Sequence, residues 1–371
     1  MGRYGKKIEV QLNPLAYNVA LLGESGIGKT TIAKEICEKL VGEDGYLHFD
    51  IGRESGSECI SGLVSERIDS WDKLVEVVDD IIENKNEYPD LKVIVWDTLD
   101  ELIILAEKQA IKLHNKKNPD KKADTINSVA GGFGKGQDKA LELILDLIWE
   151  LKNVGVNPFL IGHVKRSDIV DPITQDTYSK LTADTQQRYF NAIKNKMHFV
   201  GLAYIDRAIV KEKTGRKNIV TKEDILTNKV VGESRVISFR DNTYSVDSKS
   251  RFADIVDSIS FSADEFIKAM NDAILAEAKK GSTPIADLEK KQKAAEKEKE
   301  AEIKKYSEER RKGHINLDRN EELVEIIRAK YMDASDETKE KITQLRAQYD
   351  IPNFKEANVS TEGLEEIVSC L

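Results

Sequence analysis

The stretch ALLGESGIGKTTIAKEI, residues 20–36, constrains the fold more than any other part of the chain. An apolar run enters a glycine-rich turn, Lys-Thr-Thr follows, and apolar residues then recur at helical spacing. Gly23-Glu24-Ser25-Gly26-Ile27-Gly28-Lys29-Thr30 meets the pattern G-x-x-x-x-G-K-[ST] at every fixed position. Glycines there let backbone N–H groups turn inward around phosphate oxygens, and the following helix presents its N-terminus to the same anion. In that reading Lys29 reaches the β- and γ-phosphates of a nucleotide. The Thr30 hydroxyl sits on Mg2+, and Thr31 belongs with the nucleotide-binding residues. A chance glycine-rich turn has no need of a strand before it and a helix after it.

The rest of the chain extends this strand–loop–helix unit. IEVQL and NVALLG, within residues 8–22, read as one or two strands, and a helix is expected from Thr30 to about Leu40. YLHFDIG (46–52) reads as a strand, and LKVIVWD (91–97) as a buried parallel one. Leu74, Val77, Val78, Ile81 and Ile82 have helical spacing. A helix follows over roughly 99–114, then a polar, glycine-rich loop, then a strongly amphipathic helix closed by Gly155. NPFLIGH (157–163), MHFVGLAYI (197–205) and RVISF (235–239) supply further strands, the last of them antiparallel. Alternation of this kind predicts an α/β fold with a mostly parallel sheet.

Ser262 and Glu265 form a capping-box pattern at the start of another helix. After Pro284 the apolar residues nearly vanish and charges alternate in sign, which predicts a solvated helical tether without a burying face. Apolar spacing returns at Leu323, Ile326, Ile327, Ile342, Leu345, Leu364, Ile367 and Val368. The expected organisation is a nucleotide-binding domain over 1–260, a helix and charged linker over 261–313, and a small helical module over 314–371.

Bulk properties exclude several classes. The net charge of −9 argues against coating nucleic acid with the whole surface, though a local basic patch is compatible with it. Cys37, Cys59 and Cys370 are far apart and odd in number, so neither a disulfide framework nor a zinc site is expected and a reducing cytoplasm fits. There is no apolar run of bilayer length, so no membrane association is expected, and the N-terminal stretch lacks a signal-peptide core.

Asp97 ends VIVWD, where an acid at a strand tip can hold Mg2+ or cap the next helix. Asp100 and Glu101 lie just beyond it. Hydrolysis also needs a group that orients or deprotonates water. FDIGRESGSE offers Asp50, Glu54 and Glu58, of which Glu54 is preferred; acids in an exposed loop are the bland alternative. His163 ends FLIGH, where it can sense a γ-phosphate or serve structure alone. Lys165 and Arg166 can neutralise phosphate, reach a neighbouring subunit's nucleotide, or simply be solvated. GGFGKGQ (131–137) puts a stacking face, Phe133, and a charge, Lys135, on a glycine-rich loop, as single-stranded nucleic acid binding requires. An ordinary flexible loop has the same composition.

Together GESGIGKTT, VIVWDTLDEL, GGFGKG and FLIGHVKR, in this order, resemble the RecA-like, AAA-type P-loop ATPases carried by bacteriophages, and within these the Sak-type single-strand annealing recombinases. The resemblance covers roughly residues 8–260. It implies a RecA-like core that binds ATP and Mg2+, binds single-stranded DNA, and supports annealing, recombination or repair as a homo-oligomer. By position, Gly23–Thr30 form the nucleotide loop, Asp97 is the metal-side acid and His163 the sensor; no catalytic glutamate carries over. The charged tether and C-terminal module lie outside the resemblance and suit a partner such as a single-stranded-DNA-binding protein, or a solubilising role. Two other readings compete: a nucleotide-gated oligomeric scaffold without turnover, and a P-loop kinase, which the scattered arginines after Lys165 suit poorly.

Overall fold

A computed structural model describes residues 8–371 apart from 54–55, 172, 218–223, 241–245 and 353–358. The chain order begins β1 (Val19–Gly23), α1 (Lys29–Val41), β2 (Tyr46–Ile51), β3 (Ser65–Ile68), α2 (Trp71–Glu83), β4 (Val93–Asp97), α3 (Leu99–Lys117) and α4 (Lys135–Asn153). It continues with β5 (Asn157–Val170), β6 (Thr177–Ala183), α5 (Gln187–Lys196), β7 (Phe199–Lys217), β8 (Asp224–Ser238), β9 (Lys249–Ser250) and β10 (Ser258–Ser260). Four helices close the chain: α6 (Ala263–Lys279), α7 (Ile285–Tyr331), α8 (Asp336–Gln348) and α9 (Thr361–Cys370).

The sheet runs β10-β8-β7-β1-β5-β4-β2-β3, with β6 on β5 and β9 on β7. From β7 to β3 every pairing is parallel. Both faces are covered, so the central strands are apolar on both sides rather than alternating. Along β1, Ala20 and Leu22 enter one apolar cluster with α2, α3, α4 and α5, while Val19 and Leu21 enter another with α1 and α6. The period of two along a strand makes this division.

Local chemistry starts the helices. Ser70 caps α2 by accepting from the Lys73 N–H, and Leu74, Val78, Ile81 and Ile82 bury one stripe of it. Ser262 stands at the N-cap of α6, but its side chain makes no capping hydrogen bond, so the expected capping box is not formed. IEVQL is not a strand. Its residues run to a 3₁₀ turn at Pro14–Ala16, and the Val10 carbonyl and Leu12 N–H bond to the Gln292 side chain instead of to a neighbouring strand.

The tether corrects a second expectation. It is one 47-residue helix, α7, without a break at 313/314. Ile303 and Tyr306 pack against the main core, Ser307 is buried, and Arg310 reaches Asp79 at 3.1 Å and Glu150 at 3.3 Å. These residues are spaced i, i+3, i+4 and i+7, one helix face. The face was hidden because two of its four members are polar. α7 crosses the amino ends of the strands, where Lys92, Lys152, Gly155, Asn157 and Glu300 line a cavity of about 1010 Å³. Beyond it Leu323, Val324, Ile327, Ile342, Ile351, Leu364 and Ile367 form a separate small core. No helix among the described residues is long and apolar enough to cross a membrane.

Candidate nucleotide site

The site lies at the other end of the sheet from that cavity, where the parallel strands end. β5 is interposed between the loop strand β1 and the acid strand β4. Its register pairs Gly23 with His163 and Ile161 with Asp97, and the next strand sets Asp50 beside Asp97. Four strand ends therefore meet at one crevice, three of them with a polar side chain and β1 with the loop itself, at the place where open α/β sheets bind ligands.

The loop has the expected geometry. Gly26 and Gly28 have φ of +74° and +103°, a region open to glycine, and Gly28 caps α1. Gly23 is held for another reason: a Cβ there would lie 3.0 Å from the Ala203 carbonyl of β7. Lys29 is buried and its ammonium donates back to the Gly23 and Glu24 carbonyls, both at 3.1 Å. Thr30 Oγ1 donates to Asp97 Oδ2 at 2.6 Å. Ser25 and Thr31 are exposed.

The same Asp97 oxygen lies 3.1 Å from His48 Nε2. His48 is almost wholly buried, and its Nδ1 has no partner among the described residues. With its N–H on Nε2, the ring donates to the carboxylate and fixes its direction. Sequence reasoning missed His48; the available signal was its two-residue spacing from Asp50 on a strand facing the same crevice. Thr30 and Asp97 supply hard oxygen donors side by side, which fits Mg2+ held directly or through water.

The candidates for a water-directing acid separate. Asp50 is committed to structure: one oxygen accepts from Ser57 Oγ and from Arg67, each at 2.7 Å. Glu58 is exposed on a 3₁₀ turn. Glu54 lies outside the described residues. Glu101, in the first turn of α3, lies across the end of β2. A Cβ built on Gly52 would fall 2.1 Å from Glu101 Oε2, so this carboxylate fills the space that a side chain at 52 would take. Asp100 turns the other way. One of its oxygens accepts from the His163 backbone N–H at 3.0 Å and lies 2.9 Å from the ring Nδ1.

His163 does not end its strand. β5 runs on to Val170 and pairs antiparallel with β6, a hairpin absent from the expected elements. The pairing with β1 does stop at His163, so the ring still stands at the crevice. Lys165 is paired with Asp184 at 3.2 Å rather than reaching the loop. Arg166 is exposed on the hairpin.

Phe133 is 98% exposed with φ +55°, and Lys135 opens α4. α4 descends to β5 at the amino end of the sheet, so its own start lies at the carboxyl end, with the nucleotide loop. Arg188, at the start of α5, buttresses this turn. It holds Asp138 in a two-point ion pair, and a Cβ on Gly134 would collide with its guanidinium.

A family model described as an AAA domain fits residues 15–252, nearly two thirds of the chain. No match to a curated protein was found.

Proposed function

Because the chain belongs to the AAA-domain family of P-loop ATPases, we propose that it binds and hydrolyses ATP with Mg2+ while acting on single-stranded DNA. The function is annealing, recombination or repair, of the kind served by the bacteriophage Sak-type ATPases. One observation supports the DNA part above all: an aromatic ring 98% exposed on a strained, buttressed turn stands at the same end of the sheet as the nucleotide loop. A ring that gains nothing by burial in its own chain suits stacking on an unpaired base.

In this reading Lys29 gives up the Gly23 and Glu24 carbonyls for the β- and γ-phosphates, while the backbone N–H groups from Gly28 to Thr31, at the start of α1, face the phosphate. Mg2+, held on the Thr30–Asp97 side, would neutralise charge on the terminal phosphates. Glu101 orients water. The water oxygen bonds to the γ-phosphorus, the bond to the bridging β–γ oxygen breaks, and the proton passes to the Glu101 carboxylate. His163, its Nδ1 held by Asp100, presents Nε2 towards the crevice as the sensor of the γ-phosphate. Homo-oligomerisation and a single-stranded-DNA-binding partner for the C-terminal module belong to the same proposal.

The second reading is a nucleotide-gated scaffold without turnover. It is favoured by the commitment of Asp50 to Arg67 and Ser57. ATP hydrolysis measured with and without single-stranded DNA separates the two. Stimulation by DNA, together with salt-sensitive DNA binding, is expected. Absence of DNA binding with and without ATP overturns the first reading, and turnover equal to buffer favours the scaffold.

A further inference from the structure

The nucleotide loop has two flanks. The flank towards β5 and β4 carries Asp97, Asp100 and His163, and it receives the terminal phosphate. The other flank is β7, tied to the loop by the Glu24 N–H donating to the Ala203 carbonyl at 3.2 Å. β8 lies beyond it and brings two further groups to the loop.

Arg235, on β8, donates from its guanidinium to the Ile27 carbonyl at 3.3 Å. Phe261, the residue after β10, donates its backbone N–H to the Arg235 carbonyl at 3.0 Å. A Cβ built on Gly28 would lie 3.5 Å from the Phe261 ring and 4.0 Å from the Arg235 guanidinium. Both groups therefore stand against the residue that caps α1. Phe261 is only half-buried, at the margin of the core. Arg235 is exposed, and no carboxylate among the described residues pairs with it. A half-open ring beside an unneutralised guanidinium is poor packing, but it suits an aromatic base joined to a phosphate.

We propose that Phe261 and Arg235 form the nucleoside side of the site. The Phe261 ring stacks on the base of the nucleotide and Arg235 pairs with the phosphate next to the sugar. The direction follows from the two flanks. With the terminal phosphate drawn towards Thr30 and Asp97, the sugar and base leave the loop past Gly28, on the β8 side. The inference rests on the reading of the loop as an ATP site and adds which residues receive the rest of the molecule.

Binding of ATP and of inorganic tripolyphosphate to the full chain tests it by titration calorimetry. Tripolyphosphate has the charge and no base. Phe261→Ala and Phe261→Leu should weaken ATP binding by about tenfold or more, the scale of one lost base–aromatic stack, and leave tripolyphosphate unchanged. Arg235→Ala should weaken both. Phe261→Leu keeps the apolar packing, so it carries the test if the alanine variant does not fold. Unchanged ATP affinity in the Phe261 variants, or an equal loss for both ligands, overturns the stacking role. Unchanged binding of both ligands in Arg235→Ala overturns the role of the guanidinium. A wild-type chain that binds tripolyphosphate but shows no preference for ATP overturns the subsite while leaving the phosphate loop standing. A wild-type chain that binds neither overturns the ATP reading itself.

Discussion

Replacing Gly52 by alanine moves one side chain into space that Glu101 now fills. Gly52 has φ +78°, and its added Cβ would meet Glu101 Oε2 at 2.1 Å and Glu101 Cβ at 2.6 Å. Contacts that short cannot exist: the Glu101 carboxylate must swing away from the end of β2, and the clash with Glu101 Cβ is relieved only if the Gly52 turn or the first turn of α3 also shifts. Gly62 supplies the control. Its φ is +70°, and its added Cβ would meet nothing nearer than the Lys34 ammonium at 3.8 Å. Alanine in the left-handed region costs about 1–2 kcal/mol at either position, so both variants should melt a few degrees lower, Gly52→Ala the more because its clash with Glu101 Cβ also moves backbone. Only Gly52→Ala displaces the carboxylate. General-base catalysis contributes about 10²–10⁴-fold, so Gly52→Ala should lose most of the ATP turnover that Glu101→Gln loses, while Gly62→Ala keeps it. Steady-state phosphate release measures turnover, and nucleotide titration confirms that the loop still binds. Equal turnover in the Gly52 and Gly62 variants would refute Glu101 as the water-directing acid.

Three further outcomes are expected. Phe133→Ala should weaken single-stranded DNA binding by about fivefold or more without changing the melting temperature, because a ring 98% exposed contributes nothing to the core. His198 is pushed down to about 4, mainly by burial and then by the Lys152, Arg251 and Lys249 charges. A histidine held neutral in the fold stabilises it above the unfolded value near 6.5. That contribution, at most about 3 kcal/mol and less once solvent screening of the half-buried ring is discounted, should be lost as pH falls from about 6.5 to about 4. Denaturant titrations at several pH values should show the loss, and His198→Asn should flatten it. Ile327→Ala removes a fully buried side chain from the C-terminal core and should cost about 2–5 kcal/mol. In limited proteolysis the cuts should then concentrate beyond residue 323 while residues 15–252 resist.

Where the physics is local, the sequence was sufficient. The Gly23–Thr30 spacing, the apolar run into Asp97 and the helical stripe on α2 each depend on residues a few positions apart, and the structure has all three. IEVQL read as a strand because β propensity measures fitness for a half-buried surface, not the presence of a partner strand. The charged tether read as solvated because the face formed by Ile303, Tyr306, Ser307 and Arg310 is half polar. Only the approach of Asp79 and Glu150 turns Arg310 from a solvent-facing charge into a docking group. The β5–β6 hairpin was hidden because the residues after His163 are polar, a pattern equally suited to a loop.

By itself the sequence determined an α/β fold with a nucleotide loop, since a glycine run between an apolar strand and a helix has few other uses. The tertiary structure decided how that loop is furnished. Strand order put Asp97 against Thr30 across an intervening strand and slid His48 beneath it. An empty volume at Gly52 drew in Glu101 from the next helix, and Arg235 and Phe261 came to the loop from more than 200 residues away. Hydrogen bonds and collisions act over a few ångströms of space, and no spacing along the chain encodes which distant residues will share them.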